Sequence, residues 1–282
     1  MIGRSTVNAA KKVLLNLRAD ISDPQYVPPG HYYSPLPNSA DLERAIHANG
    51  EPLGVDLRPD HQIELARQLD LALPANNRWV DGNVWFGASD AAVLRAMIRR
   101  VRPRSFVEIG SGYSTAIALD TIDDFDLETS VLCVDPYADR LRSVLRPADS
   151  ARVTIREEQV QDIPPADLAA LVAPGDIFFI DSTHVAKPGS DVLHLFLHTL
   201  PLLPDGVHVQ IHDIFWPFEY PDSWLRQGRA WTEIYLLHAL LADSARWQID
   251  FFSDWYWTEH REAVPAPLRS SRPGSIWLST VD

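Results

Sequence analysis

Residues 105–135 read SFVEIGSGYSTAIALDTIDDFDLETSVLCVD. An apolar run through Phe106, Val107 and Ile109 breaks at the glycines 110 and 112. A helical segment follows from about Thr115, and a second apolar run closes on Asp135. Strand, glycine turn, helix, strand is the repeating unit of a parallel sheet, because parallel neighbours need a long crossover to return the chain. The alternation continues outward. DRLRSVL, PADLAALV, DVLHLFLHTLPLL and WTEIYLLHALLA carry helical patterns, and RVTIRE, DIFFID and VHVQIHD are short apolar runs between them. Strands apolar on both faces are covered by helices on both sides. The fold class is therefore α/β, a doubly wound and mostly parallel sheet. The last two runs, WQIDFF and SIWLST, show no clear helix between them and are expected to pair antiparallel at or near a sheet edge.

Upstream, the periodicity predicts a helix over 88–101, with Asp90 in its first turn and Pro103 as its stop. Residues 23–38, DPQYVPPGHYYSPLPN, hold five prolines and three tyrosines and are expected to be an extended loop that packs onto something. Two helical patterns follow, one with Leu42, Ala45 and Ile46 and one with Ile63, Ala66, Leu69 and Leu73. The breaker-rich EPLGVDLRPD separates them. The start, MIGRSTVNAAKKVLLNLRAD, lacks a signal-peptide core and reads as a short amphipathic helix. Residues 1–80 are thus expected to form a helical and loop extension, a cap or lid, on a domain spanning 81–282.

Composition narrows the function. The chain has 282 residues, with 25 Lys and Arg against 38 Asp and Glu, a formal charge of −13. No basic stripe is available for a phosphate backbone, which argues against nucleic acid as a partner. Cys133 is the single cysteine, so an internal disulfide or a multi-cysteine metal site is excluded. No run approaches 18 apolar residues, so no membrane partner is expected, and a cytoplasmic protein is the default. Homo-oligomerisation is left open.

In an open parallel sheet, ligands bind beyond the carboxyl ends of the strands, where strand order reverses. The residues there are Glu108, Gly110, Ser111, Gly112, Ser114 and Thr115 after the first strand, Asp135 after the second and Gln161 and Asp162 after the third. Asp181 closes the fourth strand, and His212 and Asp213 close the fifth. A dinucleotide site wants a third glycine to bring a helix N-terminus onto the pyrophosphate. This loop, GSGYSTA, lacks it, and Glu108 would repel a diphosphate. A carboxylate beside glycines suits a cationic ligand, and Asp135 can accept both hydroxyls of a ribose.

E-x-G-S-G-x-S-T followed by a strand ending in Asp resembles the class I S-adenosylmethionine-dependent methyltransferases. EIGSGYST, IDSTH and HDIF with a nearby proline are similar to a bacterial subgroup often associated with small-molecule or sugar modification. The resemblance covers about residues 83–282 and implies a seven-stranded Rossmann-like core with a reversed last strand. It implies S-adenosylmethionine as cofactor. Glu108, Gly110 and Gly112 would line its methionine part, Asp135 would hold its ribose, and Gln161 or Asp162 its adenine. Ser111, Ser114, Thr115 and Asp181 would complete the cofactor site.

Five of the ten histidines fall between residues 184 and 212. Asp181 with His184, and His212 with Asp213, end neighbouring strands, so carboxylates and imidazoles converge beside the cofactor. That cluster suits a histidine base oriented by a carboxylate, with His184, His212 and Asp213 catalytic, or a divalent metal on Asp181, His212 and Asp213. An aliphatic hydroxyl is about as weakly acidic as water (pKa ~16), so such a cluster favours an oxygen acceptor over an amine. The acceptor is expected to be a small molecule or glycan. Tyr32 and Tyr33 from the proline-rich loop, Glu219 and Tyr220 after the fifth strand, and Trp85, Trp216, Trp224, Trp255 and Trp257 are candidates to touch it. His194 and His198 sit four apart on a helix but read as structural. Rival readings are an N-methyltransferase, a nicotinamide-dependent oxidoreductase, a non-catalytic cofactor-binding protein and a metal hydrolase.

Overall fold

The computed structural model describes residues 26–48, 50–74 and 78–281. The chain divides into two compact units, residues 1–48 and 49–282. In the first, residues 26–38 form turns without regular structure, as their prolines dictate. Helix α1 (Ser39–Ile46) starts where the Asn38 side chain accepts from the Ala40 and Asp41 amides and the Asp41 carboxylate accepts from the Asn38 amide. This reciprocal cap satisfies donors that the first helical turn leaves free. The amphipathic helix expected at the start lies outside the described residues.

The division between the two compact units falls after residue 48, while the expected extension ran to residue 80. Helix α2 (Pro59–Gln68) belongs to the second unit, since the Phe252 amide donates to Gln62 Oε1 (2.7 Å) and Arg58 donates to the Ile249 carbonyl (3.1 Å). The remaining helices are α3 (Ala88–Val101), α4 (Tyr113–Asp124), α5 (Asp139–Val144), α6 (Pro165–Ala169), α7 (Asp191–His194), α8 (Asp222–Arg226), α9 (Glu233–Leu241) and α10 (Ser253–Glu259). They surround a seven-stranded sheet of β1 (Ser105–Ile109), β2 (Ser130–Val134), β3 (Val153–Arg156), β4 (Ile177–Ile180), β5 (His208–His212), β6 (Trp247–Phe252) and β7 (Ser275–Thr280). The strand order is β3-β2-β1-β4-β5-β7-β6, with β7 antiparallel to both neighbours. The fold is the Rossmann-like, mostly parallel one that the sequence predicts.

Central strands carry the core. Phe178 and Phe179 are consecutive on β4, point to opposite faces, and are both fully buried, so each helical layer receives one ring. Truncating such a side chain costs about 3–5 kcal/mol. One element differs from expectation: α10 stands between β6 and β7. Its residues Ser253 to Trp257 are all buried, so SDWYWTE has no polar face and shows no helical periodicity.

A buried ion cluster ties the chain ahead of α3 to helix α4 and to the turn before β3. Arg78 donates to Asp149 through Nε (2.9 Å) and Nη2 (2.7 Å), and its Nη1 meets Asp120 and Asp123 at 2.8 Å each. Burial opposes the charge, but the three carboxylates outweigh it and raise the Arg78 pKa. Among the described residues, no helix is long and apolar enough to cross a membrane.

Strand order reverses between β1 and β4, so the loops leaving these strands part to opposite faces and open a crevice at their carboxyl ends.

Candidate active site

The crevice is shaped by one close approach. Gly110 has φ +80°, and a Cβ there would stand 2.3 Å from the Asp181 carbonyl oxygen, so only glycine fits. The Gly110 amide donates to the Val134 carbonyl (3.0 Å) and the Asp181 amide to the Ile109 carbonyl (2.8 Å), which locks three strand ends together. Ser111 donates to Asp135 Oδ2 (2.7 Å) while the Tyr137 amide holds Oδ1 (2.8 Å). The Asp135 carboxylate is therefore fixed at the cavity wall.

Glu108 departs from its expected role. It sits on β1 between Cys133 and Phe179 of the adjoining strands and is fully buried. Ser114 and Thr115 both donate to its carboxyl, and Cys133 Sγ lies 3.6 Å from it. Burial pushes its pKa up to about 8, against the pull of the two hydroxyls. Glu108, Ser114 and Thr115 thus brace the glycine turn from beneath and do not line a cavity, because alternation turns the Glu108 side chain into the core.

Two adjoining cavities open at the crevice. One of 320 Å³ is lined by Val134, Asp135, Val160 and Gln161, among others, and the second, of 590 Å³, holds the polar cluster. They share Gly110, Asp135, Asp181, Ser182 and Thr183. Of the two adenine candidates, Gln161 lines the smaller cavity, whereas Asp162 is exposed and lines neither.

The cluster is organised around His184, which has φ +61° in the loop after β4. Its Nε2 lies 3.3 Å from Asp181 Oδ1 and 3.5 Å from Asp213 Oδ2, and its Nδ1 meets Glu233 Oε2 at 2.8 Å. Ser182 holds the assembly by donating to Glu233 Oε1 (2.7 Å) and accepting from the His184 amide (3.0 Å). The Thr232 and Glu233 amides cap the His184 carbonyl at 2.8 and 3.1 Å. Burial alone would lower the His184 pKa, but Asp181, Glu233 and Asp213 raise it well above 6.5. The surrounding carboxylates thus favour the charged form of this ring.

Asp213, at φ +58°, has its pKa raised by burial, with the two histidines pulling the other way. Asp181 is lowered, because His184 and His212 overcome its burial. His212 is buried against Phe86 (ring centroids 5.0 Å apart), and its Nδ1 has no hydrogen-bond partner. Its Nε2 is 3.6 Å from Asp213 Oδ1. Burial lowers the His212 pKa, yet Asp213, Asp181 and Asp90 bring a net rise. Asp90, pushed up to about 6 by burial, accepts from the Gly274 amide (2.9 Å).

A family model for a methyltransferase domain matches residues 107–214, from within β1 to just past β5. The match covers the stretch from β1 to β5, less than half of the chain. An uncharacterized protein of Archaeoglobus fulgidus is 33% identical over 134 residues, 41% of this chain and 61% of that one. The chain therefore spans about three fifths of the length of that curated relative. Among solved structures, the S-adenosylhomocysteine-bound methyltransferase PaMTH1 of Podospora anserina is 18% identical, with a TM-score of 0.45 over 86% of this chain and 94% of that one. An O-methyltransferase from Bacillus cereus, also holding S-adenosylhomocysteine, is 15% identical, with a TM-score of 0.46 over 87% and 98%.

Asp181, His212 and Asp213, the residues read as metal candidates, all line the larger cavity. Among the described residues, no three His, Cys, Asp or Glu side chains are arranged to hold a metal ion. His184 Nε2, within 3.5 Å of both Asp181 Oδ1 and Asp213 Oδ2, is itself a cation partner for these two carboxylates. His194 accordingly serves structure, with its Nε2 3.0 Å from the Ile163 carbonyl.

The acceptor candidates divide. Tyr220 is buried, and its hydroxyl accepts from the Ile234 amide (3.3 Å). Glu219 accepts from the Tyr235 hydroxyl (2.7 Å). Neither lines the large cavity, because the chain after β5 turns them into contacts with α9. Tyr32 and Tyr33 belong to the first unit, where both are exposed and stack with His31. Trp255 and Trp257 are core residues, and Trp216 is not a lining residue, while Trp85 and Trp224 do line the cavity. Sequence reading missed Glu233, Arg140, Arg229 and Trp231. Glu233 follows an apolar run's start and reads as an ordinary first-turn acid; nothing local links it to a histidine 49 residues away.

Proposed function

We propose that the chain is an O-methyltransferase for a hydroxyl on a small molecule, a sugar or other glycan unit included, and that it works without a bound metal. Four titratable residues, Asp181, His184, His212 and Asp213, line the same 590 Å³ cavity as Gly110, Ser111 and Asp135; that coincidence carries the reading. The described donor set fits S-adenosylmethionine. Asp135, with two donors fixing its carboxylate, would take the ribose hydroxyls, and the cavity at Val134, Val160 and Gln161 would take the adenine. Gly110 lets the backbone come close, and Asp181 offers negative charge to a cation.

When bound, the cofactor supplies a methyl group on a positively charged sulfur. The remaining work falls to this chain. The His212–Asp213 pair would take the proton of an acceptor hydroxyl held in the cavity. His184, its charged form favoured by Asp181, Glu233 and Asp213, fixes the Asp181 and Asp213 carboxylates in place. A second positive charge brought into the cavity disfavours imidazolium, so loading the site would move His212 toward the neutral form that can accept a proton.

The test is release of S-adenosylhomocysteine with a panel of hydroxylated acceptors. Asp213→Asn should lower kcat by about 10²–10⁴, the usual worth of a positioned base, with cofactor affinity nearly intact. Unchanged turnover in Asp213→Asn would remove Asp213 from the chemistry, and product formation from amines alone would replace oxygen by nitrogen.

A further inference from the structure

The cavity contains a guanidinium, Arg229, whose charge is felt at Asp213 but which makes no direct ion pair or side-chain hydrogen bond with a described residue. Arg229 follows α8 through a turn in which Gly228 has φ +82° and the Arg229 amide donates to the Trp224 carbonyl (3.2 Å). The turn folds the side chain back over two indoles. The guanidinium carbon lies 4.1 Å from the Trp224 ring centroid and 4.9 Å from that of Trp231. The two indoles meet edge to face, 5.2 Å apart at 80°. Trp231 also lies against the His184 ring, 4.4 Å away, so this corner adjoins the proton-handling cluster.

Stacking uses the face of a guanidinium and leaves its in-plane N–H groups free. Arg229 makes no ion pair and no side-chain hydrogen bond among the described residues. The carboxylates of the cavity are already engaged, Asp135 by Ser111 and the Tyr137 amide, Asp181 and Asp213 by His184. In a chain of net charge −13, a half-buried guanidinium with open donors, aimed into a cavity, is matched to an oxyanion brought from outside. Arg140 is the other stacked arginine, 4.0 Å over Trp85, but it packs against Gly112, where an added Cβ would touch its Cδ at 2.8 Å. That places Arg140 on the cofactor side and Arg229 on the acceptor side.

We propose that the methyl acceptor is a hydroxylated ring carrying a carboxylate or phosphate, with Arg229 reading the oxyanion and Trp224 and Trp231 offering the ring a stacking surface. The proposal rests on the methyltransferase reading of the same cavity. Arg229 is a specificity residue: its fork takes two oxygens at once, which orients the hydroxyl toward His212 and Asp213, and it rejects neutral analogues by leaving them without that pair of bonds.

The test uses protein saturated with S-adenosylhomocysteine and matched ligands titrated by calorimetry: catechol against 3,4-dihydroxybenzoate, and glucose against glucuronate and glucose 6-phosphate. In the wild type at least one charged member should bind tenfold or more tighter than its neutral counterpart. Whether the carboxylate or the phosphate gains more identifies the oxyanion. Arg229→Met should erase the preference and keep S-adenosylhomocysteine affinity within about twofold, whereas Arg140→Met should weaken that affinity. Neutral and charged members binding alike or not at all, or a preference surviving in Arg229→Met, overturns the proposal. So does a tenfold loss of S-adenosylhomocysteine affinity in Arg229→Met, which would give Arg229 to the cofactor. Failure of the wild type to bind S-adenosylhomocysteine is a separate readout and removes the methyltransferase reading itself.

Discussion

Two buried clusters in this chain share one plan. Arg78 sits among Asp120, Asp123 and Asp149, and His184 sits among Asp181, Asp213 and Glu233. Each is one cation held by three carboxylates, yet the clusters do different work. A guanidinium does not lose its proton in proteins, so the Arg78 cluster can only fasten segments together. An imidazole can release its proton, and the His184 cluster lines a cavity that a ligand can enter. The Arg78 cluster is a clamp. Its His184 counterpart has the same wiring with a titratable centre and an open wall, which is what acid–base chemistry requires.

Breaking the clamp should give the largest effect. Arg78→Met strands the buried Asp120, leaves Asp149 only the longer contact to Arg152, and should cost about 3–5 kcal/mol in urea unfolding. A loss below 1 kcal/mol would show that the clamp is not what holds this region. Glu233→Gln tests the other cluster more gently. It keeps a hydrogen-bonding group at His184 Nδ1 but removes a charge, so kcat should fall about tenfold to a hundredfold and the alkaline limb of the pH–rate profile should move to lower pH. A fall in kcat with an unmoved profile would reduce Glu233 to a packing role.

Stability should fall as pH rises from 6 to 9. His184 has a folded pKa above 6.5, so its contribution is complete below 6.5 and is lost as pH climbs through the folded value. Glu108 adds to the trend: its carboxyl rises from 4.5 to about 8 on burial, so the folded state keeps a proton that the unfolded state has lost. Glu108→Gln should flatten part of the slope in urea titrations across this range. A flat or rising wild-type profile would contradict both assignments. The smallest effect concerns metal. Because His184 already pairs with Asp181 and Asp213, EDTA should leave turnover unchanged. Activity lost to EDTA and restored by magnesium would mean that the ring can be displaced.

The comparison also explains what the sequence discloses. All seven strands are visible because each is a short apolar run bounded by glycine, proline or charge, and the antiparallel β6–β7 pair is expected because no helical pattern shows between the two runs. The end of β4 and the end of β5 are equally plain, so Asp181, His184, His212 and Asp213 could be named before their contacts were known. Long-range partners were not legible. Arg229 reaches the cavity and Glu233 reaches His184 because the chain after β5 folds back over the loop after β4. Glu108 misled for a different reason: a strand end shows which residues are near the crevice but not, at the last inward position, which way a carboxyl turns. Helix α10 is hidden because its first five residues are all buried, which leaves no polar–apolar alternation to read.

The central claim is that the crevice between β1 and β4 holds S-adenosylmethionine with Asp135 on its ribose. The direct measurement is a calorimetric titration of wild type and Asp135→Asn with S-adenosylhomocysteine. Saturable one-to-one binding by the wild type, weakened tenfold or more in Asp135→Asn while thermal stability is kept, is the expected result. No measurable heat with the wild type, or equal affinity in the two proteins, would contradict it.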